Sequence, residues 1–294
     1  MPEVAVVIPA YNAEEHLAAA VDSALRQTLA PLQIVIIDDG STDGTAAVAR
    51  KFGDKVTLAS QENSGVSSAR NRGILNSQAE YIAFLDADDL WHPEKLRVQT
   101  ALLAERKDAP FVYNDIVTFE ARPPFQDFTS TVFDSEQVDL FSSLFAHNSV
   151  HCSSVLTRRD ALARSGLFDV AQRGAEDMDL WLRLAILGKP IRTEVALSAL
   201  RQHEHRTTKS LQFTLEKLKA FEMMMLRWRS SSEKVKQLQR LACNDAQFLA
   251  YAYEEQGRHR EAKELFLKTA IWGKQPFRSI VKALQAQVNL TLKK

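Results

Sequence analysis

An α/β domain with a mostly parallel sheet and helices on both faces, followed by an α-helical C-terminal region, is the fold this sequence predicts. Three observations carry it. Apolar β-branched runs alternate with amphipathic stretches through the first hundred residues, short acidic or polar tips follow those runs, and from about Leu211 the pattern turns helical throughout. The expected division is residues 1–210 for the α/β domain and residues 211–294 for the helical region.

The elements follow in order. Val4 to Ile8 reads as a buried strand, and Ala13 to Gln27 as a helix with Leu17, Val21 and Leu25 on one face. Gln33 to Ile37 is a second strand, and Ser41 is the expected N-cap of a helix over Asp43 to Phe52. Val56 to Leu58 is a short strand, Val66 to Ser77 a helix and Tyr81 to Leu85 a fourth strand. Pro93 suits the first turn of a helix running through Glu105. Continuous apolar strands alternating with helices imply a parallel sheet covered on both faces, with strand C-termini gathered on one ligand-binding edge. That edge should carry Pro9-Ala10-Tyr11-Asn12, Asp38-Asp39-Gly40-Ser41 and Asp86-Ala87-Asp88-Asp89.

Residues 110–150 are less regular and read as a strand plus an excursion broken by Arg122-Pro123-Pro124. Cys152 to Thr157 is a further strand, Glu176 to Leu187 a helix stopped by Gly188, and residues 191–200 are extended. In the tail, Ala250, Tyr253, Gly257, Ala262 and Phe266, with Pro276 beyond, fit one tetratricopeptide-like unit or an ordinary helical hairpin.

Composition narrows the functional classes. With 37 basic and 37 acidic residues, the chain as a whole has no net field to draw nucleic acid. Cys152 and Cys243 make neither a metal-ligand spacing nor a disulfide framework, and a reduced cytoplasmic setting is expected. No signal-peptide pattern and no run of roughly 20 apolar residues is present, so peripheral contact with the inner face of the membrane is the strongest membrane association expected.

Chemistry concentrates on the acidic tips. Three carboxylates in four residues at 86–89 repel one another unless a cation is present. Mg²⁺ or Mn²⁺ suits such oxygen donors and typically shares them with substrate phosphates, which makes Asp88 and Asp86 the expected metal residues; a solvated turn with a helix cap is the bland reading. Asp39 can accept a hydrogen bond from a base or ribose, and Tyr11 can offer an aromatic face beside it. Arg70, in Gly65-Val66-Ser67-Ser68-Ala69-Arg70-Asn71, suits either a diphosphate contact or a structural salt bridge to Asp86 or Asp38.

Four segments then show a resemblance. Val-Val-Ile-Pro-Ala-Tyr-Asn at 6–12, Ile-Ile-Asp-Asp-Gly-Ser-Thr-Asp-Gly-Thr at 36–45, Gly-Val-Ser-Ser-Ala-Arg-Asn at 65–71 and Phe-Leu-Asp-Ala-Asp-Asp at 84–89 resemble, in order and spacing, the family 2 glycosyltransferases of the GT-A fold. The resemblance covers roughly residues 1–210. It implies inverting transfer from a nucleotide-diphosphate sugar, usually UDP-linked, to a saccharide or lipid-linked saccharide acceptor in bacterial surface-polysaccharide or lipopolysaccharide assembly. It places Tyr11 and Asp39 on the base, with Pro9 among the nucleotide-sugar contacts, Asp86 on the ribose and Asp88 on the metal. It makes Asp177 of the Glu176-Asp177 pair the catalytic base and Glu176 its acceptor-orienting neighbour. Trp181, one turn later, either stacks on the acceptor sugar or packs in the core. Arg201-Gln202-His203 resembles a family element at the diphosphate or metal, with His203 the better match and His205 its rival. The processive signature Gln-x-x-Arg-Trp is absent, which predicts single-sugar transfer.

A nucleotidyltransferase would share such a sheet, but Pro9-Ala10-Tyr11-Asn12 lacks the glycine-rich phosphate loop, and no G-x-G-x-x-G supports a dehydrogenase. A scaffold acting through the helical tail, itself a candidate self-association surface, is the non-catalytic rival.

Overall fold

The computed structural model describes residues 2–120, 125, 134–140, 150–202, 210–273 and 276–292. The chain forms two compact units, one of Met1–Val170 with Glu176–His205, the other of Ala171–Ala175 with Arg206–Lys294.

The first unit opens with β1 (Val4–Ala10), α1 (Leu17–Leu25), β2 (Gln33–Asp38), α2 (Thr45–Arg50), β3 (Thr57–Ser60), α3 (Val66–Leu75) and β4 (Tyr81–Phe84). These strands are parallel, in spatial order β3-β2-β1-β4. Then come β5 (Leu90–Trp91), α4 (Lys95–Glu105), β6 (Phe111–Phe119), β7 (Ser135–Gln137), β8 (Val155–Arg158), α5 (Arg159–Ser165), α6 (Glu176–Leu184) and β9 (Ile191–Arg201). Here the sheet becomes mixed. β8 runs antiparallel between β4 and β6, β9 is parallel to β6, and β5 and β7 pair antiparallel with β9. The expectation of a mostly parallel sheet holds for the first four strands; beyond them, β8 enters from the 120–154 excursion running the opposite way.

Strand alternation sorts the core into two layers. Val4, Val6, Ile8 and Ala10 share one cluster with Leu17, Ala20, Val21 and Ala24 of α1 and Leu96, Leu102 and Leu103 of α4. Val35 and Ile37 face the other way, onto Ala69 of α3. Gly73 lets α3 lie against β1, because a β-carbon there would meet Val7 Cγ1 at 2.3 Å.

Three local expectations change. Ser41 does not cap α2; its Oγ accepts the Asn12 amide at 3.0 Å, while Asp43 Oδ1 accepts the Thr45 amide at 3.0 Å. α1 begins at Leu17 rather than Ala13, since the amides of Asn12, Ala13 and Glu14 point across to Ser41, Thr45 and Asp43. Cys152–Ser154 form a 3₁₀ turn before β8 rather than its first residues.

A polar network crosses this core. Lys95, fully buried, donates through Nζ to Gln99 Oε1 (2.7 Å), and Gln99 Nε2 donates to Asn114 Oδ1 (3.0 Å) and to the Ser154 carbonyl (2.7 Å). Asn114 Nδ2 donates to Ser198 Oγ (3.2 Å), and Ser198 Oγ donates to the Ser153 carbonyl (2.8 Å), which also accepts the Trp91 indole N–H (2.7 Å). Burial drives the Lys95 ammonium pKa well below its usual value, and its nitrogen lies over the Trp91 ring at 4.3 Å.

The second unit contains α7 (Leu211–Arg227), α8 (Ser232–Glu255), α9 (His259–Trp272) and α10 (Pro276–Leu292). Ser210 and Ser231 cap α7 and α8 through their hydroxyls. Gly257 takes the left-handed turn between α8 and α9, and Ala250, Tyr253, Ala262 and Phe266 are buried packing residues around it. No described helix is long and apolar enough to cross a membrane.

Candidate active site

The tips of β1 and β2 are stitched side by side. Asn12, in left-handed backbone at φ 47°, accepts the Thr42 amide on Oδ1 at 2.8 Å. The Asp39 amide donates to the Ala10 carbonyl at 2.8 Å. Pro9 is buried in this join, while Tyr11 is exposed at the rim. Asp38 braces its own turn, accepting the Ser41 amide and the Ser60 hydroxyl. Asp39 is buried and more heavily engaged than the sequence suggests. Its Oδ1 accepts the Ser64 amide (2.9 Å) and Gln61 Nε2 (2.7 Å), and its Oδ2 accepts the Gly65 amide (2.8 Å). It therefore builds the loop that leads into α3. Gly65 at φ +88° suits that loop because only glycine adopts such backbone without cost. A carboxylate has about four acceptor positions, so three donors leave one for a ligand.

The tip of β4 is arranged differently. Asp89 is buried as framework: its Oδ2 accepts Ser153 Oγ–H at 2.6 Å and its Oδ1 accepts the Arg201 amide at 3.2 Å. Ser153 Oγ in turn accepts the Asp86 amide at 3.1 Å, and Arg201 Nε donates to the Asp88 carbonyl at 3.1 Å. The turn is thus fixed from below by Ser153 and from the side by the end of β9. The carboxylates of Asp86 and Asp88 are both half-buried on it.

Arg70 joins this turn to α6. It is 5% exposed, donates through Nη2 to Asp86 Oδ1 at 2.9 Å and through Nη1 to Glu176 Oε1 at 3.0 Å, and lies over the Phe168 ring at 5.3 Å. Of the two expected roles, the salt bridge to Asp86 is present, and the second arm to Glu176 is an addition. Burial lowers the Arg70 pKa, but the negative neighbours outweigh it and hold the guanidinium charged. Next in sequence, Asn71 clamps Phe168 from both sides, accepting its amide at 2.9 Å and donating to its carbonyl at 2.8 Å.

Glu176 and Asp177 open α6 directly after Gly174 (φ +106°) and Ala175 (φ 51°). Two consecutive left-handed residues, one of them not glycine, cost energy and turn the chain sharply into the helix. Asp177 accepts the Met178 amide on Oδ1 at 2.7 Å. Burial first, then the neighbouring Glu176 charge, raise its pKa to about 7, against the pull of Arg70. A carboxylate poised near neutrality beside a paired one has the protonation behaviour of a general base.

Of the two readings of Trp181, core packing is the one present. The side chain is 0% exposed and sits in an aromatic cluster with Phe111, Phe84 and Phe168, ring centroids 5.5, 6.0 and 6.1 Å away. One turn along the helix from Asp177 points inward, so the indole has no face for an acceptor sugar. His203 and His205 lie outside the described residues.

Sequence reading missed the supports: Ser153, Arg201 as the lateral brace, and Cys152. The buried Cys152 thiol is pushed well above its usual pKa by desolvation and by Asp177, Asp86 and Glu176, which places it within the electrostatic reach of the same carboxylates. Its position next to Ser153, in the turn just before β8, was the available signal.

Among the described residues, no group of three or more His, Cys, Asp or Glu side chains forms a metal site by itself. The hard oxygen donors of Asp86 and Asp88, on a turn held rigid from two sides, fit a Mg²⁺ or Mn²⁺ ion that takes its remaining ligands from a diphosphate.

Acidic strand-end turns joined through Arg70 to a helix-borne carboxylate pair make the candidate site of this α/β fold. The model of the Glycosyl transferase family 2 matches residues 5–163, and the chain belongs to that family. It is 30% identical over 223 residues to an uncharacterized glycosyltransferase of Rickettsia typhi, covering 74% of this chain and 70% of that protein. It is 32% identical over 193 residues to WfaP of Escherichia coli, named a UDP-Glc:α-D-GlcNAc-diphosphoundecaprenol β-1,3-glucosyltransferase, covering 64% of this chain and 72% of WfaP. The fold is shared with S. aureus TarS residues 1–349 in complex with UDP-GlcNAc, at TM-score 0.66 and 16% identity over 99% of this chain and 91% of that one. Against the longer crystallised TarS chain, this protein spans 53% of the length.

Proposed function

We propose that this protein transfers a sugar, with inversion, from a UDP-sugar to a hydroxyl of a saccharide or lipid-linked saccharide in bacterial surface-polysaccharide assembly. The carrying observation is Arg70, whose two arms link the donor turn at Asp86 to the base pair at Glu176. The likeness to WfaP and to UDP-GlcNAc-bound TarS supports the donor class, and the name of WfaP supports a lipid-linked acceptor.

In this reading Tyr11, Pro9 and Asp39 receive the base and Asp86 the ribose. Asp177 takes the proton from the acceptor hydroxyl as its oxygen attacks the anomeric carbon opposite the diphosphate. Glu176, held by Arg70, orients the acceptor and keeps the Asp177 pKa raised. Arg70 offsets charge on the departing diphosphate, and His203 is assigned to the same side from its sequence position. Asp88 and Asp86 would hold Mg²⁺ or Mn²⁺, which supplies Lewis-acid stabilisation of the leaving group.

A thermal-shift screen of nucleotide sugars with Mn²⁺ tests the donor assignment. A cognate UDP-sugar should raise the midpoint in proportion to the logarithm of its concentration. The assignment fails if no nucleotide sugar shifts the midpoint and none yields free nucleoside diphosphate.

A further inference from the structure

Overall neutrality conceals a separation of charge. Residues 1–210 hold 29 acidic and 21 basic residues, a net −8, whereas residues 211–294 hold 8 acidic and 16 basic, a net +8. Charge asymmetry of this size within one chain points to an anionic surface or polymer met by the basic part.

The helix α10 shows which. Its inner face, Ser279, Ala283 and Ala286, is buried where it packs on α9. Its opposite face carries Ile280 (45% exposed), Leu284 (61%) and Val288 (55%) at i, i+4 and i+8, with Val281 beside them. Residues 276–294 contain Arg278, Lys282, Lys293 and Lys294 and no acidic residue. Arg278 is exposed, and the Lys282 ammonium lies over the Tyr251 ring of α8 at 5.8 Å. Lys263 of α9 reaches Gln287 at 2.6 Å. Glu254 of α8 also reaches α10, through Asn289, and has His259 beside it.

We infer that the outer face of α10 docks on an anionic lipid surface, with Ile280, Leu284 and Val288 entering the acyl boundary and the flanking cations meeting the headgroups. An aliphatic stripe bordered by cations is the pattern of a helix that lies in the interface plane, and each basic residue near an anionic leaflet adds attraction. A nucleic acid would match the charge but leave the aliphatic side chains without partners. A second copy presenting the same face would bring two regions of net +8 together.

The test is sedimentation of the full chain with vesicles, and it needs no donor, so its result is independent of the glycosyl-transfer reading. Vesicles of equal phosphatidylglycerol and phosphatidylcholine should pellet the protein, and phosphatidylcholine alone should not. Leu284→Gln with Val288→Gln should weaken binding about tenfold. Arg278→Gln with Lys282→Gln should weaken it at low salt and reduce its salt sensitivity. Arg278, Leu284 and Val288 are exposed and Lys282 is half-buried beside Tyr251, and circular dichroism with the thermal midpoint verifies folding. In an otherwise native chain, Leu284→Trp should give indole emission that shifts to the blue on adding anionic vesicles. The inference is overturned by equal pelleting with neutral vesicles, by no pelleting, or by aliphatic variants that bind as the native chain does. It is equally overturned if those variants instead dissociate an oligomer, or if duplex DNA is bound and the vesicles are not.

Discussion

Two acidic turns end neighbouring parts of one sheet, and they use their carboxylates in opposite ways. At the β2 tip, Asp38 and Asp39 accept hydrogen bonds from the loops around them, and the acids build the backbone. At the β4 tip the tasks are divided. Asp89 takes a structural role, through Ser153 and Arg201, while Asp86 meets Arg70 and Asp88 is half-buried. An acid at a strand end is therefore not a ligand by position. What decides is whether another residue has taken over the work of holding the turn.

That contrast can be broken by substitution. The largest effect is expected at Asp177, the acid proposed as base: Asp177→Asn should lower turnover by about 10²–10⁴-fold while leaving the thermal shift by the donor in place. Near-normal turnover would remove Asp177 from the mechanism. Asp89→Ala should cost about 2–4 kcal/mol of stability, because it strands a buried hydroxyl and a backbone amide; an unchanged denaturation midpoint would mean the framework role is wrong. Asp39→Asn should cost less, about 1–3 kcal/mol, since one amide oxygen remains to accept; chemical denaturation gives the number, and donor affinity measured beside it separates building from binding. EDTA should abolish turnover with little change in the apo midpoint, which places the metal at the Asp88 turn and not in the fold; full activity in metal-free buffer contradicts this.

The smallest effect concerns pH. A base must be deprotonated, so turnover should rise as pH passes through about 7, falling about tenfold per unit below it. Stability moves the other way. The folded pKa of Asp177 lies above the unfolded 3.8, so its contribution is full below 3.8 and is lost as pH rises through about 7. Asp177→Asn should flatten both curves; a kcat profile level across neutrality would contradict the raised pKa.

Much of this was legible in the sequence, for identifiable reasons. Continuous apolar runs, β-branched in β1 and β2, marked β1, β2 and β4, since local composition decides buried parallel strands. The Glu176-Asp177 pair came from motif resemblance, and Arg70 from the loop glycine and small residues that precede it. What escaped depends on contacts between distant residues. The antiparallel entry of β8 follows from an excursion with no periodicity to read. The engagement of Asp39 requires the amides of residues 64 and 65, and that of Asp89 requires Arg201, more than a hundred residues on. Trp181 stayed open between acceptor and core because helical spacing from Asp177 cannot say which face is inward; three aromatic neighbours on β4, β6 and the segment before α6 decide it. The charge separation between residues 1–210 and 211–294 was readable by counting each part alone, and a whole-chain total hides it.

The polar network from Lys95 to Ser153 carries a consequence for how such a protein can diversify. β6 and β9 pair across the network although about 80 residues separate Asn114 from Ser198. If β9 slipped by one residue, Ser198 would turn to the other face of the sheet. Asn114 and the Ser153 carbonyl would each lose a partner, at about 1–3 kcal/mol for each stranded group. The network therefore works as a key that admits one alignment. Changes in length or composition between those strands are tolerated only where they leave Ser153 in place, because its hydroxyl also holds Asp86 and Asp89.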